Sequence, residues 1–220
     1  MIRAVSRHTP AGVALRVFAN SLVVVLALGL TGCTGLFQST APPEQIYYLS
    51  VKPVPAGDNG QSALKASIHV GRPISGPGLD STHIMLLESN HRMSYYAASR
   101  WPAPLPEMVE ALAVQELNAS GSWGAVQGAE SSFPSDYLLQ IRITRFEADY
   151  TNGNAGPEVH VVLDCTLGRR TGRDVMVTFV AAGSASATAN KLGEVLSAFE
   201  QATDEALATL AAQAAKAVRD

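Results

Sequence analysis

The chain has 220 residues, room for one well-buried domain and at most a small second one. Apolar residues make up 47% and charged residues 16%, a balance that excludes an intrinsically disordered chain. The formal charge is −3, and it falls to −6 (thirteen cations against nineteen acids) once residues 1–32 are set aside. A mildly acidic domain of this kind is expected to carry no electrostatic footprint for nucleic acid or for anionic lipid headgroups.

The N-terminus carries the sharpest local signal. Residues 1–16 hold Arg3, Arg7 and Arg16 and no acid; from Val17 to Leu30 only Asn20 and Ser21 interrupt an apolar run. A spanning helix needs about 20 apolar residues to cross a hydrocarbon layer about 30 Å thick. This run is short for a span and suits the central segment of a signal peptide, predicted here as residues 1–32. It ends in Leu30-Thr31-Gly32-Cys33, which resembles the bacterial lipobox. The resemblance implies cleavage before Cys33, a diacylglyceryl group on its thiol and a further acyl chain, such as palmitate, on the freed amine. Each buried methylene contributes about 0.8 kcal/mol, so two or more chains hold a protein stably at a bilayer where one does not. Thr34 follows Cys33, where an Asp would imply retention at the inner membrane; this points to the outer membrane, periplasmic side, with the inner membrane as the alternative. Residues 33–45, with Pro42-Pro43, read as a lipidated tether, and residues 46–220 as the folded domain.

Residues 46–51 are aromatic and branched and predict a first strand. A loop with Pro55, Gly57, Asn59 and Gly60 follows, then a second strand over 66–70. Residues 84–87 and 92–97 flank Glu88-Ser-Asn-His91 and predict a hairpin. Val109, Leu112, Ala113 and Leu117 recur at helical spacing, with Pro106 tolerated in the first turn and Gly121 beyond the end. Residues 137–150 and 158–167 alternate, the second with Val159, Val161, Leu163, Cys165 and Leu167 on one face. Val175, Val177 and Phe179 continue the pattern after a polar turn, predicting an antiparallel sheet with one buried face. An alanine-rich helix over 189–218 closes the chain, its stripe running through Leu192, Val195, Phe199, Leu207 and Leu210. The expected class is α/β (α+β): a mostly antiparallel sheet with two main helices on one face, in a single domain.

Reactive chemistry is hard to find. His69, His83, His91 and His160 are scattered, with no metal-ligand spacing. His83 and His91 approach each other only if the hairpin brings them together. Cys165 stands on the apolar face of a strand, where core packing is expected rather than nucleophilic chemistry. No G-x-S-x-G and no phosphate loop is present, and Glu107 and Glu110 read as solvated helix charge. Neither catalysis nor any cofactor or metal is expected. A binding or assembly module remains.

Three stretches carry a family likeness: Tyr47-Tyr48-Leu49; Asn90-His-Arg-Met-Ser-Tyr-Tyr96 followed by Arg100-Trp101-x-x-Pro104-Leu105-Pro106; and Asp136-Tyr-Leu-Leu-Gln-Ile-Arg-Ile-Thr-Arg-Phe146. With the lipobox and the terminal helix, they make the sequence resemble the ABC-type transport auxiliary lipoproteins, the PqiC-like family. One local departure is Ser75-Gly-Pro-Gly-Leu79, where relatives often carry a tyrosine-containing lead-in. The resemblance implies a non-catalytic periplasmic lipoprotein working with an ABC transporter and its MCE-type substrate-binding protein, moving lipids or other hydrophobic molecules between the two membranes. The alternative is an outer-membrane assembly or secretion-associated lipoprotein. Tyr95, Tyr96, Trp101 and Leu105 are the candidate residues for meeting a partner, although for Trp101, which precedes a proline-led helix, packing as a staple between helix and sheet is favoured over partner contact. The alanine-rich helix also offers a homo-oligomer interface. No nucleic-acid partner is expected.

Overall fold

A computed structural model describes residues 43–50, 52 and 64–219. Cys33, residues 33–42 of the expected tether and the loop at 55–60 lie outside the described residues. The framework is three long antiparallel strands: β7 (Tyr137–Asp149), β8 (Glu158–Arg169) and β9 (Asp174–Ser186). These are the segments whose alternation was clearest, and Leu139, Ile141, Leu163, Cys165 and Leu167 all point into the core.

The other edge of β7 is shared in tandem. Three strands pair with it in parallel, one after another along its length: β2 (Leu64–Val70) near Tyr137, β3 (Ile74–Ser75) at Arg142, and β4 (His83–Leu87) at Ala148. Beyond them, β5 (Met93–Arg100) forms the expected hairpin with β4, and β6 (Trp123–Gln127) runs parallel to β2. The longest ladders are antiparallel and the short ones mostly parallel, so the architecture is a mixed α+β sheet of nine strands.

The first strand is shorter than predicted. β1 is only Gln45–Ile46, paired in parallel with the end of β5. Tyr47 still donates its N–H to the Arg100 carbonyl at 2.9 Å, but the chain then leaves the sheet. The Ser50 N–H goes to Glu200 and the Lys52 N–H to Asp204, each at 3.0 Å. Helix carboxylates thus take the donors that a longer strand would have used.

Both helices cover one face. α1 (Leu105–Ala119) begins after Pro104, carries Pro106 where a missing N–H costs nothing, and donates its first amide to the Ser81 carbonyl at 3.0 Å. It packs against β2, β3 and β6. α2 (Leu192–Arg219) lies along β8 and β9 and touches α1. Its buried stripe is rich in alanine, including Ala198, Ala202, Ala206 and Ala214, which lets its backbone approach the sheet closely. The approach is tightest at Gly183 of β9, where an added Cβ would lie 2.1 Å from the Ala202 carbonyl oxygen. Only glycine fits there.

Candidate functional site

Strand alternation decides which residues face outward. Because Leu139, Ile141 and Cys165 are buried beneath the helices, Leu138, Gln140, Arg142, Asp164 and Thr166 project from the opposite face, which neither α1 nor α2 covers. A bulge between Ile143 and Arg145 shifts the phase of β7 by one residue, so that Phe146 and Ala148 turn inward. Without it, Arg145, Glu147 and Asp149 would lie in the apolar core.

Instead these three residues form a shielded polar knot on the outer face. Arg145 reaches Glu147 at 2.6 Å through Nε and Asp149 at 3.0 Å through Nη2. Glu147 also accepts the Phe146 N–H at 2.7 Å, and His160 on β8 approaches Asp149 at 3.9 Å and Glu158 at 3.8 Å. Burial alone would raise the Asp149 carboxyl; hydrogen bonds from the Thr151 hydroxyl and N–H, with the Arg145 guanidinium, outweigh it and hold the carboxyl below the usual range. Every acceptor has a donor, which is the signature of a structural ion network rather than of a reactive acid.

The hairpin carries the four residues expected to meet a partner, and the structure separates them. Tyr95 is 53% exposed and stacks on His83 with ring centroids 4.2 Å apart. Met93 is exposed beside it on the same strand face. Tyr96 is half-buried. Its hydroxyl lies 2.8 Å from that of Tyr150, which donates in turn to Asn190 at 2.8 Å; Tyr150 has one proton to give, so Tyr96 donates to Tyr150.

Trp101 and Leu105 require a correction. They are 1% and 2% exposed, so neither side chain is available to a partner. Trp101 packs edge-on against Phe146 and Phe199, with centroids at 6.2 and 5.4 Å, and its backbone N–H donates to the Thr82 carbonyl at 2.7 Å. The Arg-Trp-x-x-Pro-Leu block joins helix to sheet. The staple reading of Trp101 is the one the structure supports.

The remaining chemical candidates are equally plain. Cys165 is fully buried, and burial pushes its thiol up to about 12, which leaves almost no thiolate at neutral pH. His83 pairs with Arg100 at one end of the hairpin while His91 occupies the turn at the other, so the two do not meet. Glu107 bonds Arg72, and Glu110 accepts the Ala129 N–H at 2.7 Å, tying α1 to the segment after β6 rather than standing free in solvent. Among the described residues no three His, Cys, Asp or Glu side chains gather as a metal site would require. None of these described residues forms a helix long and apolar enough to cross a membrane.

Residues 47–215 match the family described as the ABC-type transport auxiliary lipoprotein component. The chain belongs to this family. Solved structures agree at the level of the fold. A Xanthomonas campestris protein is 23% identical and superposes with a TM-score of 0.73, covering 80% of this chain and 97% of its own. A crystal structure of an uncharacterized protein gives 0.61 at 14% identity (78% and 99% covered). A hypothetical protein from Chlamydia trachomatis gives 0.52 at 8% identity (70% and 98% covered). No curated protein matches the sequence.

Proposed function

We propose that this chain is exported, cleaved before Cys33 and acylated there, and that its domain serves without catalysis as the accessory subunit of an ABC transporter. Its partner in this reading is an MCE-type substrate-binding protein, and the cargo is lipid or another hydrophobic compound moving between inner and outer membranes. Thr34 favours the outer membrane, on its periplasmic side, as the site of anchoring. The observation that carries the reading is the combination of an in-register Leu-Thr-Gly-Cys with a family match that begins only fourteen residues after that cysteine, at Tyr47. In this reading the Arg145–Glu147–Asp149 knot and the buried Cys165 are structural parts of the domain.

A tether of this length acts as a leash: thirteen residues from Cys33 to Gln45 reach at most about 45 Å when extended. Confinement near one membrane raises the effective concentration of the domain at its partner, so modest contacts suffice for assembly. Tyr95 and Met93, exposed on the hairpin, are the residues in this reading that meet the partner. The test is affinity purification of the full-length protein from detergent-solubilised envelopes. Recovery of an ABC permease, its ATPase and an MCE protein, lost on Cys33→Ala, is the expected result. Recovery of an outer-membrane barrel or secretion pore instead would replace this reading.

A further inference from the structure

The overall negative charge conceals a local concentration of the opposite sign. Of the thirteen lysines and arginines after residue 32, five line two adjoining depressions on the face of the sheet opposite α1 and α2. One depression, of about 440 Å³, is bordered by Arg169, Arg170 and Arg173 from the β8–β9 turn. The other, of about 370 Å³, is bordered by Arg72 and Arg142. They share Leu138, Gln140 and Thr166, so they form one trough with arginines at both ends.

The opposing charges are few. Asp164 and Asp174 also line the trough, and Glu107 engages Arg72. The turn is fixed rather than trailing. Gly172 and Arg173 both hold positive φ, at 91° and 59°, while Arg170 donates its N–H to the Asp136 carbonyl at 2.9 Å and its guanidinium to the Ser135 hydroxyl at 3.3 Å. Guanidinium groups suit phosphate oxygens because they present paired N–H donors in a plane. Between the two ends, the Gln140 amide and Thr166 hydroxyl offer neutral hydrogen bonds, and Leu138 with the exposed Val175 offers apolar contact. The trough therefore combines what an amphiphilic phosphate diester presents: an anion, a hydroxylated linker and the start of an acyl chain.

We infer that the trough between Arg169–Arg173 and Arg142 binds the phosphate-bearing headgroup of an anionic glycerophospholipid. This deepens the transport reading and rests on it for biological purpose, though not for the binding chemistry.

The test uses full-length protein purified in a neutral detergent, titrated calorimetrically with dioctanoyl-phosphatidylglycerol, dioctanoyl-phosphatidylcholine and inorganic phosphate in turn. Phosphatidylglycerol is expected to bind at least about tenfold more tightly than phosphatidylcholine, with an affinity that falls as salt rises. The exposed triple variant R169E/R170E/R173E should abolish that preference, Arg142→Glu should weaken it, and Lys216→Glu on α2 should leave it intact, all with unchanged melting temperatures. Equal affinity for both lipids, or a preference that survives the triple variant, overturns the inference. Inorganic phosphate binding as tightly as the lipid overturns the lipid assignment, and so does a triple variant that loses the transporter partner while keeping its lipid preference. Transporter co-purification is scored separately, so failure of headgroup binding is distinguishable from failure of the transport reading.

Discussion

At the scale of single residues, burial separates two aromatic neighbours that look alike in sequence. Trp101 closes a triangle with Phe146 and Phe199, whereas Tyr95 stacks on His83 at the surface. Truncating a buried large aromatic costs about 3–5 kcal/mol, while surface changes usually stay within about 0.5 kcal/mol. Trp101→Ala should therefore lower the denaturant midpoint sharply. Tyr95→Ala should leave it nearly unchanged while weakening recovery of the transporter partner. Asp149 makes a second prediction. Its carboxyl is held below the usual range, so it contributes stability above the unfolded value that is lost as pH falls through the folded one. Asp149→Asn should lower stability at neutral pH and flatten the acid limb of a pH–stability profile; an acid limb as steep as the parent's would rule out Asp149 as its source. These distinctions were only partly legible in sequence. The Trp-x-x-Pro-Leu block stood out, but whether it faced inward depends on Phe146 and Phe199, which lie 45 and 98 residues further along the chain.

At the scale of elements, legibility followed locality. β7, β8 and β9 carry strong period-two alternation and are joined by short turns, so their pairing could be read directly. The hairpin and both helices emerged the same way. β3 and β6 did not, because they are short and gain their status from parallel partners far off in sequence. The bulge after Ile143 was written in the sequence as a phase slip, apolar at 139, 141 and 143 and then at 146 and 148. Its consequence, a buried ion network on the other face, needed the third dimension. α2 offers the clearest element-scale test. A methyl group at Gly183 would collide with the Ala202 carbonyl and approach the Ala206 amide at 2.9 Å. Backbone cannot rotate aside as a side chain can, so Gly183→Ala should destabilise by about 1–3 kcal/mol or more and push α2 off β9. Gly193→Ala, where an added Cβ meets nothing, is the matched control; equal stability of the two variants would contradict the close-approach account.

At the scale of the whole molecule, the sheet has two different faces. One is sealed by α1 and α2; the other is covered by neither of them and holds the polar knot, the arginine-bordered trough and the exposed hairpin residues. Net charge pointed away from anionic ligands because it averages over that division. Arg72, Arg142 and the Arg169–Arg173 turn are distant in sequence and meet only through strand pairing. The family assignment explains why this domain is built, and the proposed acyl anchor explains where it would work. The transporter-docking role presupposes that anchor, since an untethered domain would lose the effective concentration that makes weak partner contacts adequate.

The most direct test is mass spectrometry of the N-terminal peptide of the full-length protein isolated from its native envelope. A peptide beginning at Cys33 and heavier than its sequence by a diacylglyceryl group, with or without a further amide-linked acyl chain, is the predicted result. A mature N-terminus elsewhere, an unmodified Cys33 or an intact leader would contradict the account.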